Sequence, residues 1–134
     1  MNRLTVAAVC LLDDRGRLLV VRKRNTHAFM LPGGKHEPGE TDIEAAIREV
    51  REEVGLNVDI LTPLGRWVCP AANEADTDVE ATVFASQLRG EPVAAAEIAE
   101  IAWIDPRAPL DAGRRVFAPL MTPVCEAIAE RELS

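Results

Sequence analysis

The chain has 134 residues, 48% hydrophobic and 28% charged, with 22 acids against 15 Lys and Arg and a formal net charge of -7. That length suits a single domain over 1–134, and the acid surplus excludes a surface built to neutralise a nucleic-acid polymer or to sit on anionic lipid. No apolar run approaches the roughly 18 residues that span a bilayer, and Met1-Asn2-Arg3 does not open a secretory leader, so the expectation is a soluble, cytoplasmic domain.

Leu4 to Leu12 and Arg17 to Arg24 are rich in Val and Leu and flank Asp13-Asp14-Arg15-Gly16, which predicts a β-hairpin. Phe29-Met30-Leu31 is a short strand that stops at Pro32-Gly33-Gly34. Asp42 to Val54 is the clearest helix: Thr41 and Glu44 have capping-box spacing, and Gly55 suits the residue after the last turn. Strands follow at Leu56 to Leu61, Gly65 to Val68, Val79 to Leu88 and Ile98 to Ile104. A second helix is expected over much of Arg114 to Leu133, with Pro119 and Pro123 delaying its start. The order predicts an α+β domain, a mixed β-sheet covered by helices. Cys10, Cys69 and Cys125 lack metal-ligand spacing and read as ordinary reduced residues.

At roughly 100° per residue, Ile43, Ala46, Ile47, Val50 and Val54 share one arc of the first helix and are expected to face a sheet. Glu49, Glu52 and Glu53 share another, at spacings whose mutual repulsion costs a few tenths of a kcal/mol per pair. A solvated face softened by Arg48 and Arg51 would account for that cluster. So would a site for a hard divalent cation, which prefers carboxylate oxygen. The tight Gly-rich turns Pro32-Gly33-Gly34 and Pro38-Gly39 run straight into the helix, let backbone approach a metal or phosphate closely, and favour the second explanation.

Gly34 to Leu56 reads GKHEPGETDIEAAIREVREEVGL. This resembles the signature of the Nudix hydrolases, G-x5-E-x7-R-E-U-x-E-E-x-G-U with U a bulky aliphatic residue. Gly34, Glu40, Arg48, Glu49, Val50, Glu52, Glu53, Gly55 and Leu56 fill every fixed position, a coincidence on the order of 10⁻⁹ at ordinary residue usage.

The resemblance implies an α/β/α sandwich and attack of water on a phosphorus of a nucleoside diphosphate linked to another moiety. It implies Mg²⁺ or Mn²⁺ held by Glu49, Glu52 and Glu53 with the carbonyl of Gly34. Arg48 would hold a glutamate, and Glu40 would orient helix and loop. Glu53 is favoured as ligand and base, Glu52 competes, and Glu97 or Glu100 is the alternative from outside the box, with Glu97 preferred and able to reach metal. Bound cations would reverse the local sign and admit a polyanionic substrate to an acidic protein.

Arg24, at the end of the densest basic cluster (Arg22-Lys23-Arg24), is the expected phosphate contact, since MutT-type members carry an arginine at a similar place. Gly33 is expected beside it, Trp67 to stack on a base and Asn73 to read one. The chain has no tyrosine, so the aromatic clamp of dinucleoside polyphosphate members is missing. Pro70, near where ADP-ribose members carry a proline, favours that substrate, whereas the base-reading asparagine segment of MutT-type sanitisers is not recognisable in Arg114 to Val124. The expected substrate is a (deoxy)nucleoside triphosphate, oxidised or not, ahead of ADP-ribose or another nucleotide sugar. A non-catalytic nucleotide-sensing domain is the rival from another class. A homodimer is compatible with the family, and the sequence leaves oligomeric state open.

Overall fold

The computed structural model describes residues 2–131. It contains β1 (Asn2–Leu12), β2 (Leu18–Lys23), β3 (Ala28–Met30), β4 (Gly33–Lys35), α1 (Asp42–Val54), β5 (Thr62–Pro70), β6 (Thr77–Gln87), β7 (Ile98–Ile104), a 3₁₀ turn at Leu110–Ala112, β8 (Val116–Phe117) and α2 (Met121–Arg131). The strands form one curled mixed sheet in the order β5-β6-β1-β2-β3-β8, with β4 on β1 and β7 on β2. β1 runs parallel to β6 from Asn2↔Thr77 to Leu12↔Gln87, and on its other edge it meets β4 at Val6, Ala7 and Ala8 and β2 at Leu12.

The alternation of β1 explains the layers. Ala7, Val9 and Leu11 pack with Ala45, Ala46, Val50 and Val54 of α1. Ala8, Cys10 and Leu12 pack on the other face with Met121, Val124, Cys125 and Ile128 of α2. Successive side chains of a strand point to opposite faces, so a strand buried on both sides reads as an unbroken apolar run. Burial pushes the Cys10 thiol up and raises that of Cys125 to about 11, in keeping with inert reduced cysteines. No described helix is long and apolar enough to cross a membrane.

α1 has the predicted ends. Glu44 N–H donates to Thr41 Oγ1 at 3.1 Å, Thr41 N–H donates to Glu44 Oε1 at 2.9 Å, and Gly55 closes the helix at φ 71°. Its buried stripe is rotated from the expected one: Ile43 is half exposed, whereas Ala45 and Glu53 are buried. Pro123 lies in the first turn of α2, where a missing N–H breaks no helical bond. The segment before α2 forms β8 instead of helix, and the expected end at Leu133 lies outside the described residues.

Two strand expectations change. Leu56 to Leu61 is not a strand; Leu56 and Val58 plug the α1-side core while Ile60 stays exposed, so the alternation marks burial without a sheet partner. Gly33–Lys35, expected as a turn, is β4, paired antiparallel with Val6, Ala7 and Ala8. A side chain at Gly33 would overlap the backbone of Ala7 and Ala8, so this approach requires glycine.

Candidate active site

Arg48, half-way along α1, organises the polar edge of the helix. Its guanidinium forks onto Glu40, Nε to Oε2 at 2.6 Å and Nη2 to Oε1 at 2.9 Å. Nη1 donates to Glu52 at 2.7 Å and to Glu49 at 3.3 Å, and Nη2 reaches the Lys35 carbonyl at 2.9 Å. Glu37 adds a carboxylate at 3.2 Å. Five planar donors suit this many acceptors, and a lysine would not. The Arg48 bonds, then the Glu37 amide, hold the Glu40 carboxyl down at about 2.

Glu53 has the opposite environment. It is 2% exposed; Oε1 accepts the Gly33 N–H at 3.1 Å, and Oε2 has no hydrogen-bond partner. Burial raises its carboxyl to about 8, against the pull of the Gly33 amide and with a further push from Glu49. Glu49 is also raised, by burial first, with Arg48 opposing. Its Oε2 occupies the space that a Gly34 Cβ would need, so Gly34 is glycine because a carboxylate lies against its backbone.

Beside these residues lies a cleft of about 560 Å³. Gly33, Gly34, Arg48 and Glu49 form one wall, and Lys23 and Glu97 face each other at 3.2 Å, Nζ to Oε1. Leu4, Val6, Val79, Leu120 and Met121 make an apolar half, and Pro70 to Glu74 close its far side. The loop before β7 is tied to α1: Val93 N–H donates to the Val54 carbonyl at 3.0 Å and Ala95 N–H to the Glu53 carbonyl at 2.9 Å.

A NUDIX domain model matches residues 1–122. The chain belongs to the Nudix family. A Bacillus subtilis protein named "Putative 8-oxo-dGTP diphosphatase" is 33% identical over 106 residues, 78% of this chain and 68% of the relative. A Methanocaldococcus jannaschii protein named ADP-ribose pyrophosphatase is 28% identical over 75% of this chain, which spans 61% of that relative's length. A crystal structure of a MutT NUDIX hydrolase from Burkholderia pseudomallei superposes with a TM-score of 0.80 at 20% identity, covering 96% of this chain and 99% of that one, which shows a shared fold. As a Nudix hydrolase the protein cleaves an acid anhydride in nucleoside diphosphate derivatives.

The Nudix box thus supplies Gly34, Arg48 and Glu49 to the cleft, with Glu53 buried behind Gly33. Nudix hydrolases generally use divalent cations, and these residues fit one: hard carboxylate oxygens, one of them buried and unpaired, beside a backbone without side chains. Among the described residues no three acidic, imidazole or thiol side chains already form a ligand set; Glu52 is turned to Arg48 and half exposed.

Glu97 and Asn73 line the cleft; Glu100 is paired with Arg22 at 3.2 Å. Gly33 lines it too, although its amide is committed to Glu53. Arg24 does not line it: the side chain is exposed, and the residue contributes its N–H to the Glu97 carbonyl at 2.9 Å. Lys23, the last residue of β2, lines the cleft there instead, whereas Arg24 already lies in the turn that follows the strand. Trp67 also lies away from the cleft lining; its ring covers Gly65 and packs on the α2-side core.

Proposed function

We propose that this Nudix hydrolase converts a (deoxy)nucleoside triphosphate, oxidised or not, to the monophosphate and pyrophosphate, using Mg²⁺ or Mn²⁺. The observation that carries this reading is the unpaired, buried Oε2 of Glu53 beside the glycine wall of a cleft that also offers Lys23 and an apolar half. Glu49 and Glu53 with the Gly34 carbonyl would hold the cation, joined by Glu52. When bound, the cation supplies charge neutralisation and Lewis acidity toward the phosphates. Lys23 exchanges Glu97 for a phosphate oxygen. Glu97, exposed at the mouth, is the carboxylate free to take the proton of the attacking water, since Glu53 serves as ligand and Glu52 is engaged by Arg48. Arg48 acts on its glutamates and positions them.

The apolar half suits a nucleoside. The relative named for 8-oxo-dGTP supports ranking triphosphates first. ADP-ribose is the second reading, favoured by Pro70 in the cleft wall and by the relative of that name.

The test is a panel of nucleoside triphosphates, oxidised dGTP, ADP-ribose and a nucleotide sugar, with Mg²⁺ or Mn²⁺ and products identified by mass. Monophosphate plus pyrophosphate from a triphosphate is expected. AMP and ribose phosphate as the only products would move the assignment to ADP-ribose, and no turnover of any compound would overturn the hydrolytic reading. Glu97→Gln is expected to lose turnover while keeping Mn²⁺ affinity, and Glu53→Gln to lose both.

A further inference from the structure

The loop between β5 and β6 presents two polar side chains that the hydrolytic machinery does not use. Asn73 and Glu74 line the cleft on its apolar side, and among the described residues neither has a hydrogen-bond or ion-pair partner. The loop beneath them is fixed. Ala71 N–H donates to the Thr77 carbonyl at 2.8 Å, Thr77 Oγ1 to the Ala75 carbonyl at 2.9 Å, and Asn2 N–H to the Asp76 carbonyl at 3.0 Å. Thr77 is buried, and Asp76 takes φ 51°. The floor beside the loop is one register row, Leu4, Val79 and Cys69 on adjacent strands. An apolar floor beside a braced loop that carries two exposed, unspent polar side chains has the parts of a small-molecule specificity pocket.

We propose that Asn73 and Glu74 select guanine. A carboxylate is acceptor-only and takes two parallel donors, and an amide supplies both functions. Guanine alone among the common bases offers adjacent donors, N1–H and N2–H, beside an acceptor, O6. Glu74 accepts the pair and Asn73 donates to O6. Adenine and cytosine would put one donor and one ring-nitrogen lone pair against Glu74, and thymine one donor between two carbonyls. Oxidation at C8 leaves this edge unchanged, so the loop reads guanine and oxidised guanine alike. The assignment rests on the reading of the cleft as a nucleotide site.

The experiment compares kcat/KM for dGTP, dITP, dATP and dCTP in the wild type, Glu74→Gln and Glu74→Asp, with titrations of dGMP and dAMP into the same proteins. A preference of about tenfold for dGTP over dATP is expected, at the low end for a bidentate base contact. dITP, which lacks the N2 amine, falls between them. In Glu74→Gln the dGTP/dATP ratio falls toward one, because the side-chain amide brings a donor to a donor edge, and Glu74→Asp restores part of it. Wild-type rates within twofold across the bases, or an equal loss on all of them in Glu74→Gln, would overturn the proposal. If no triphosphate is turned over, the hydrolytic reading has failed, and the dGMP/dAMP binding ratio still decides this one.

Discussion

Replacing Glu53 by Gln keeps the side chain's shape and its bond from the Gly33 amide but removes a carboxyl that the fold holds neutral well above its ordinary range. Its carboxyl ionises near 4.5 ordinarily and at about 8 in the folded chain. Between those values the unfolded chain releases a proton that the folded chain retains, so cation-free stability falls as pH rises. At roughly 1.4 kcal/mol per pH unit, the wild type is expected to lose roughly 3 kcal/mol between pH 5 and pH 7.5 from this group, with the loss ending near pH 8. The variant titrates no proton there. Gln buries an unpaired amide at a fixed cost of about 1–3 kcal/mol, so the signal is the change of the wild-type–variant gap with pH. Urea unfolding in EDTA at half-unit steps from pH 5 to 8.5 reads it directly; in thermal melts the same effect is about 10 °C. A gap that stays constant across this range would refute the buried, neutral Glu53. Saturating Mg²⁺ or Mn²⁺ should then stabilise the wild type by about 2–3 kcal/mol at a hundredfold excess over Kd and leave Glu53→Gln almost unmoved.

Gly34→Ala pushes a methyl into the Glu49 carboxylate, and calorimetric Mn²⁺ affinity is expected to drop by about tenfold or more, as when support of a metal ligand is lost. Lys23→Ala should raise KM for the triphosphate about tenfold through loss of a charged hydrogen bond, whereas Arg24→Ala, outside the cleft, should change it by less than about twofold; steady-state kinetics on both variants decides which residue meets phosphate. Thr41→Ala removes the cap of α1 and should cost about 1 kcal/mol, read as a lower urea midpoint with kcat/KM preserved.

Where local chemistry decides an element, the sequence is enough to place it. Thr41, Glu44 and Gly55 carry the ends of α1 in their own side chains and backbone, and the structure has them there. β4 is hidden because Gly33 and Gly34 look like a turn; they form a strand only because β1 accepts backbone without Cβ atoms. Leu56, Val58 and Ile60 alternate like a strand, yet only Leu56 and Val58 are buried, as plugs of the core and without a sheet partner. In the site, helical period alone groups Glu49, Glu52 and Glu53. It cannot tell that Glu53 is buried with one oxygen unpaired, which depends on the packing of α1 against β1 and β4, whereas the Arg48–Glu52 pair is an i,i+4 contact within the helix itself. Arg24 gives way to Lys23 because β2 ends one residue before the expected Arg24 and the chain turns there, and nothing in the local sequence shows that the Trp67 ring covers Gly65.

The long parallel ladder between β1 and β6 sets an order of events during folding. Each of its rungs, from Asn2↔Thr77 to Leu12↔Gln87, joins residues 75 positions apart. Closing such a loop costs roughly 4 kcal/mol of chain entropy before any rung repays it, and pairings this distant are slow to form. On a ribosome, β1 emerges first and must wait, its apolar residues unsheltered on that side, until β6 has been synthesised. α1, capped by its own neighbours, can form in the meantime, but the floor shared by Leu4, Val79 and Cys69 cannot. The cleft is therefore among the last features of this domain to be completed, although half of its lining residues precede Val50.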